Sequence, residues 1–105
     1  MPTNKIYRVL ALSAAKHEYV ATAFTHHPRF KVVGVADDTS AESWIHQRNE
    51  ALANDLSVPY ERDVDKAIQT LAPDIAVVSS EAARHASLSI RAAEAGLHVV
   101  QDKPM

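Results

Sequence analysis

The sequence predicts an α/β domain in which a mostly parallel five-stranded sheet, of strand order 3-2-1-4-5, lies between two layers of helices. Three observations carry this. Apolar runs of strand length alternate with stretches of helical period along the whole chain. Those runs are apolar almost throughout, as strands covered on both faces must be. Right-handed crossovers then fold a β-α-β-α-β-α-β-α-β string into a three-layer sandwich.

The elements follow in order. Residues 6–12 are apolar apart from Arg8 and form the first strand. Residues 14–26 bring Val20, Ala23 and Phe24 to one face of a helix. Residues 31–36 carry Val32, Val33 and Val35 as the second strand, and residues 41–56 place Ile45, Leu52 and Leu56 on one helical face. A short third strand over 58–61 has the weakest pattern. Asp63 is placed to cap a helix running through Leu71, which Pro73 stops. Residues 75–78 make the fourth strand, and 81–95 a helix closed by Gly96 in the left-handed conformation. Residues 97–100 make the fifth strand.

With 105 residues, 47% of them hydrophobic and 23% charged, the chain has material for one domain. Eleven Lys and Arg against thirteen Asp and Glu give a net charge of -2, so no bulk positive field gathers nucleic acid or an anionic membrane. The absence of cysteine excludes disulfides, thiolate metal sites and a cysteine nucleophile. The six histidines form no zinc-spaced pair, so no metal is expected. Trp44, Phe24 and Phe30 are too scattered to stack bases and are expected in helix–sheet packing. No apolar run approaches the ~20 residues that cross a bilayer, and the opening Met-Pro-Thr-Asn-Lys is unlike a signal peptide, so a cytoplasmic protein is expected. Only two glycines occur, Gly34 and Gly96, too few for a glycine-dependent phosphate loop.

In an open parallel sheet a ligand lies at the carboxyl ends of the strands, by the switch point between the first and fourth. Residues 13–17, Asp37-Asp38 and residues 79–85 fall there, and the last strand adds Asp102-Lys103-Pro104.

Four stretches together resemble one family: Lys-Ile-Tyr-Arg-Val-Leu-Ala-Leu at 5–12, the segment 26–37 ending in Val-Val-Gly-Val-Ala-Asp, Ala-Pro-Asp-Ile-Ala-Val-Val at 72–78, and Glu-Ala-Gly-Leu-His-Val-Val-Gln-Asp-Lys-Pro at 94–104. The chain resembles, over essentially its whole length, the N-terminal Rossmann-like nucleotide-binding domain of the glucose-fructose oxidoreductase and inositol dehydrogenase (Gfo/Idh/MocA) family. Asp102 stands where the family has glutamate.

The resemblance implies an NAD site. Its dinucleotide glycines fall on Leu12, Ala14 and His17, none of them glycine. What is left to hold the pyrophosphate is the Ser13 hydroxyl, the free N–H groups of Ala14 and Ala15 at the next helix start, and Lys16. Asp37, 24 residues after Ser13, is placed to accept from the adenosine ribose and to select NAD over NADP. The competing reading is that residues 37–40 only turn the chain and cap the next helix. The family's Thr-Pro-Asn and following histidine correspond to Ser80-Glu81-Ala82 and His85, with Ser79 beside them, and at least one of these serines is also suited to capping.

Lys103 matches the lysine that in catalytic relatives contacts the substrate hydroxyl. Standing alone near a chain end, it also reads as an exposed lysine. The family's acid-base histidine belongs to a C-terminal domain outside these 105 residues, so no turnover is expected of them alone. Two alternatives compete with this reading. A phosphoreceiver is defeated by the order of its motifs, since the acid pair follows strand two. A non-enzymatic binding or assembly domain that has lost its dinucleotide stays open. An uncovered fifth strand predicts a homodimer.

Overall fold

The computed structural model describes residues 5–13, 23–80 and 82–101. The predicted first helix falls mainly on 14–22, outside the described residues, as do Ala14, Ala15, Asp102 and Lys103. The described elements are β1 (Tyr7–Leu12), β2 (Phe30–Ala36), α1 (Ser43–Leu56), β3 (Tyr60–Glu61), α2 (Val64–Leu71), β4 (Ile75–Val78), α3 (Ala82–Glu94) and β5 (His98–Gln101). The sheet order is β3-β2-β1-β4-β5, and every pairing is parallel.

The pleat explains why the strands are apolar on both sides. Leu10 and Leu12 of β1, with Ala36, Ala76 and Val78, pack against Val64, Ala67, Leu88 and Ala92 of α2 and α3. Val9 and Ala11 point the other way, into clusters with Val32, Val35, Val77, Leu52 and Ala53 on the α1 side. Each fully buried Leu or Val contributes about 1.5–3 kcal/mol relative to exposure. In β2 the register against β1 shifts between Val9 and Leu10, which pair with Val32 and Gly34 and leave Val33 as an extra residue. A Cβ on Gly34 would come within 2.5 Å of Leu71 Cδ1, so this glycine permits close approach of α2 to β2.

Arg8, the one charged residue of β1, is explained by its contacts. Its Nε donates to the Leu71 carbonyl, a free acceptor at the end of α2, at 2.8 Å. Its backbone N–H donates to Asp74 Oδ2 at 2.9 Å. Asp63 caps α2 as predicted, accepting from the Lys66 N–H at 3.0 Å. Gly96, at φ 86°, closes α3 with Leu97 N–H donating to Ala92 O and Gly96 N–H to Ala93 O.

Several local expectations change. α1 begins at Ser43 rather than 41, with Glu42 as an N-cap that makes no side-chain bond. The reading of residues 37–40 as its cap is therefore wrong. The left-handed turns ending α1 and α2 fall on Ser57 and Ala72, so α2 has already turned before Pro73. Phe24 and Phe30 do pack edge to face, with centroids 5.1 Å apart, beneath the sheet. Trp44, expected in the packing, is 45% exposed.

Candidate functional site

The predicted stretches converge at the carboxyl ends of β1, β2 and β4. Ser13 is buried and continues β1 by donating its N–H to Ala36 O at 2.9 Å. Its φ is 70°, a left-handed conformation that costs a serine about 1 kcal/mol. The turn thus keeps a glycine-like backbone at Ser13, whereas Leu12 stays within β1. Ser79 N–H donates to Leu12 O at 3.3 Å, setting the end of β4 beside that turn. Ser80, the next residue, and His85, near the start of α3, are buried.

Two polar atoms in this group are buried without a partner: Ser79 Oγ and His85 Nε2. An unsatisfied buried polar group costs about 1–3 kcal/mol.

Asp37 lies across β1 from them, at the end of β2, and is 0% exposed. Its N–H donates to Glu61 O at 3.1 Å, which ties it to β3. Its carboxylate receives Arg84 in a bidentate pair, Nη1 on Oδ1 and Nη2 on Oδ2. Asn49 Nδ2 of α1 adds a bond to Oδ2 at 2.9 Å, and the Asp38 N–H one to Oδ1 at 2.8 Å. Burial acts to raise the Asp37 pKa; the bonds from Arg84, Asn49 and Asp38, with the Arg84 charge, outweigh it and hold the carboxyl below the usual carboxylate value.

The network continues beneath Asp37. Asn49 Nδ2 also donates to Tyr60 Oη at 2.9 Å, and Tyr60 Oη bonds His46 Nδ1. Thr39 O can only accept, so the His46 hydrogen sits on Nε2, 3.3 Å from it. Nδ1 of that tautomer accepts, and the Tyr60 hydroxyl donates to it. Burial pushes the Tyr60 hydroxyl upward and the Asp37 charge adds to this, against the bond from Asn49. Every donor in the chain from Asn49 to Thr39 has an acceptor, so the carboxylate rests on a satisfied polar base.

The structure brings Ser13, Asp37, Ser79, Ser80 and His85 to one end of the sheet. Sequence reasoning missed Arg84 and Asn49, which fill the Asp37 carboxylate, and Arg91, which pairs with Asp38 at 2.6 Å. A signal existed for the arginines. Arg84 and Arg91 are two turns apart on one helix face, and Asp37-Asp38 is an acid pair of opposite sign and equal number.

Comparison with known proteins agrees with the fold. Residues 11–105 match the family described as an oxidoreductase family with an NAD-binding Rossmann fold, Gfo/Idh/MocA. Among solved structures, GenD2 from gentamicin A biosynthesis, in complex with NAD, superposes with a TM-score of 0.80 at 21% identity, over 95% of this chain and 27% of that one. The WlbA dehydrogenase of Chromobacterium violaceum, in complex with NADH and UDP-GlcNAcA, gives 0.74 at 20% identity over 100% and 29%. The myo-inositol dehydrogenase of Lactobacillus casei, in complex with NAD(H) and myo-inositol, gives 0.75 at 18% identity over 94% and 29%. No curated protein gives a significant match. The chain spans less than a third of the length of these three proteins. With the all-parallel 3-2-1-4-5 sheet and the family match over residues 11–105, the chain belongs to the Gfo/Idh/MocA oxidoreductase family and carries its NAD-binding Rossmann domain.

Proposed function

We propose that these residues bind NAD across the carboxyl ends of β2, β1 and β4. The observation that carries the reading is the pair of buried, unpartnered atoms, Ser79 Oγ and His85 Nε2, at the switch point of the sheet. They fit the polar nicotinamide half. Asp37 would receive the adenosine ribose, and the Ser13 turn with the N–H groups of Ala14 and Ala15 would hold the pyrophosphate. Asp102 and Lys103 follow β5 in the sequence, and Lys103 would hold the proton of a substrate hydroxyl. Bound there, the nicotinamide supplies the hydride acceptor. The GenD2, WlbA and inositol dehydrogenase structures, each holding NAD or NADH, support the cofactor class.

Titration calorimetry tests this. NAD is expected to bind with micromolar or weaker affinity, because loss of the loop glycines removes close phosphate contacts and each 1.4 kcal/mol is tenfold. Tighter binding of NADP than of NAD, or NAD affinity unchanged in Asp37→Ala, rejects the assignment.

For a partner, a second copy of the chain is the reading the surface favours. β5 is the outer strand of the described sheet, and beside it a groove of about 450 Å³ is lined by Ser89, Ile90, Ala93 and Val99. Ile90 is 56% exposed. An open strand edge flanked by apolar side chains is self-complementary under a two-fold axis.

A further inference from the structure

Asp37 cannot receive a ribose in the arrangement observed. A carboxylate offers about four acceptor positions, and here two are taken by Arg84, one by Asn49 and one by the Asp38 N–H. A nucleotide must displace a donor before Asp37 can bind it. Asn49 is buried on α1, and the Asp38 N–H belongs to the backbone next to Asp37. Arg84 is different, because it reaches Asp37 on a long side chain from another helix.

The path of that side chain matters. Arg84 lies in the first turn of α3, after β4, while Asp37 follows β2, and β1 separates the two strands. The ion pair therefore bridges two strand spacings, roughly 10 Å, across the end of β1 where the Ser13 turn lies. A dinucleotide running from the end of β2 to the end of β4 places its diphosphate on this same line.

We infer that Arg84 is a ligand-binding residue of the site: paired with Asp37 in the free protein, it turns to the diphosphate when a dinucleotide binds, and ribose hydroxyls replace its two donors on Asp37. This rests on the dinucleotide reading above. The charge balance supports the exchange. Pulling the guanidinium away with no new partner leaves a buried carboxylate uncompensated, which is strongly unfavourable. A ribose diol restores hydrogen bonds to Asp37 but takes the Asp37 carboxylate from Arg84. A diphosphate takes Arg84 and leaves Asp37 with only the Asn49 and Asp38 donors. A ligand carrying both groups replaces what each side chain gives up. The exchange also adds a charged donor to the phosphate site, where none of the glycines of a dinucleotide loop is present, since the two glycines of the chain are in β2 and after α3.

Calorimetry on the 105-residue chain, with NAD, adenosine and inorganic pyrophosphate as probes, tests the inference. NAD affinity is expected to fall tenfold or more in Arg84→Gln, while adenosine affinity is unchanged or rises because Asp37 is released. Arg84→Lys should recover part of the NAD affinity. In the unaltered chain saturating pyrophosphate should raise adenosine affinity severalfold, by reciprocal linkage, and this gain should vanish in Arg84→Gln. If Arg84→Gln fails to fold, the adenosine–pyrophosphate linkage in the unaltered chain decides alone. Tighter binding of both NAD and adenosine in Arg84→Gln shows a mere plug and overturns the inference. Equal weakening of both shows a structural role and also overturns it, as does an absence of linkage. NAD binding that depends on Asp37 but ignores Arg84 removes this inference alone. No NAD binding at all removes the dinucleotide reading and this with it.

Discussion

Arg91 of α3 donates from Nη1 to Asp38 Oδ1 at 2.6 Å, which ties a helix on one face of the sheet to the loop that leaves β2 for α1 on the other. Its Nη2 lies 3.4 Å from Asp65, near the start of α2. The Arg91 pKa is raised, first by the bond it donates to Asp38 and, after an opposing effect of burial, by the charges of both carboxylates. The pair is more than a quarter exposed on each side, so solvent screens it. Arg91→Met is expected to destabilise the domain by under about 1 kcal/mol. Urea unfolding at low salt and at about 0.5 M salt should show the difference narrowing as screening grows; a constant difference would show that lost packing, not charge, sets it.

Asp37→Asn should cost far more. It leaves the Arg84 guanidinium partly buried and without its carboxylate, and breaking a buried pair costs about 3–5 kcal/mol. The sign of the pH dependence follows from the lowered pKa of Asp37 in the folded protein. A depressed carboxyl stabilises the fold fully above its unfolded pKa of about 3.9 and loses that contribution as pH falls through the folded value. The stability gap between the unaltered protein and Asp37→Asn is therefore expected to be flat from neutral pH to about 5 and to close below about 4. Chemical denaturation across that range measures it, and a gap that widens in acid would contradict the assignment.

Tyr60→Phe removes a hydroxyl that serves two buried neighbours, Asn49 and His46. Both lose a partner while their burial stays the same. A loss of about 1–2 kcal/mol is expected, read by denaturation at neutral pH. A double-mutant cycle with Asn49→Ala should show non-additivity, because both residues belong to one chain of bonds. Additive effects would show that the two bonds act independently.

The proposed pairing along β5 makes a separate prediction. Light scattering at micromolar concentration should give a dimer of the 11.5 kDa chain, and Ile90→Glu should shift it to monomer without unfolding it, since Ile90 is exposed. A monomer that persists on concentration removes the proposal.

The sheet is legible in the amino-acid pattern. Apolar runs at 6–12, 31–36 and 75–78 required strands covered on both faces, helical periods required the crossovers of a parallel sheet, and the expected order 3-2-1-4-5 is the one observed. Asp63 and Gly96 marked helix ends because capping and the left-handed turn are local chemistry. The same rules placed Asp37, Ser79 and His85 at one end of the sheet, since the carboxyl end of a strand is fixed once the strand is known. The partners of those residues depended on tertiary structure. Arg84 meets Asp37 across 47 positions of sequence and over an intervening strand, and no local period encodes that meeting. Ser13, Ser57 and Ala72 take left-handed conformations without glycine because surrounding contacts, not their own preferences, fix the backbone there. Periodicity specifies which side of an element is buried. Which polar atoms then satisfy one another is settled only when packing brings distant elements within hydrogen-bond reach.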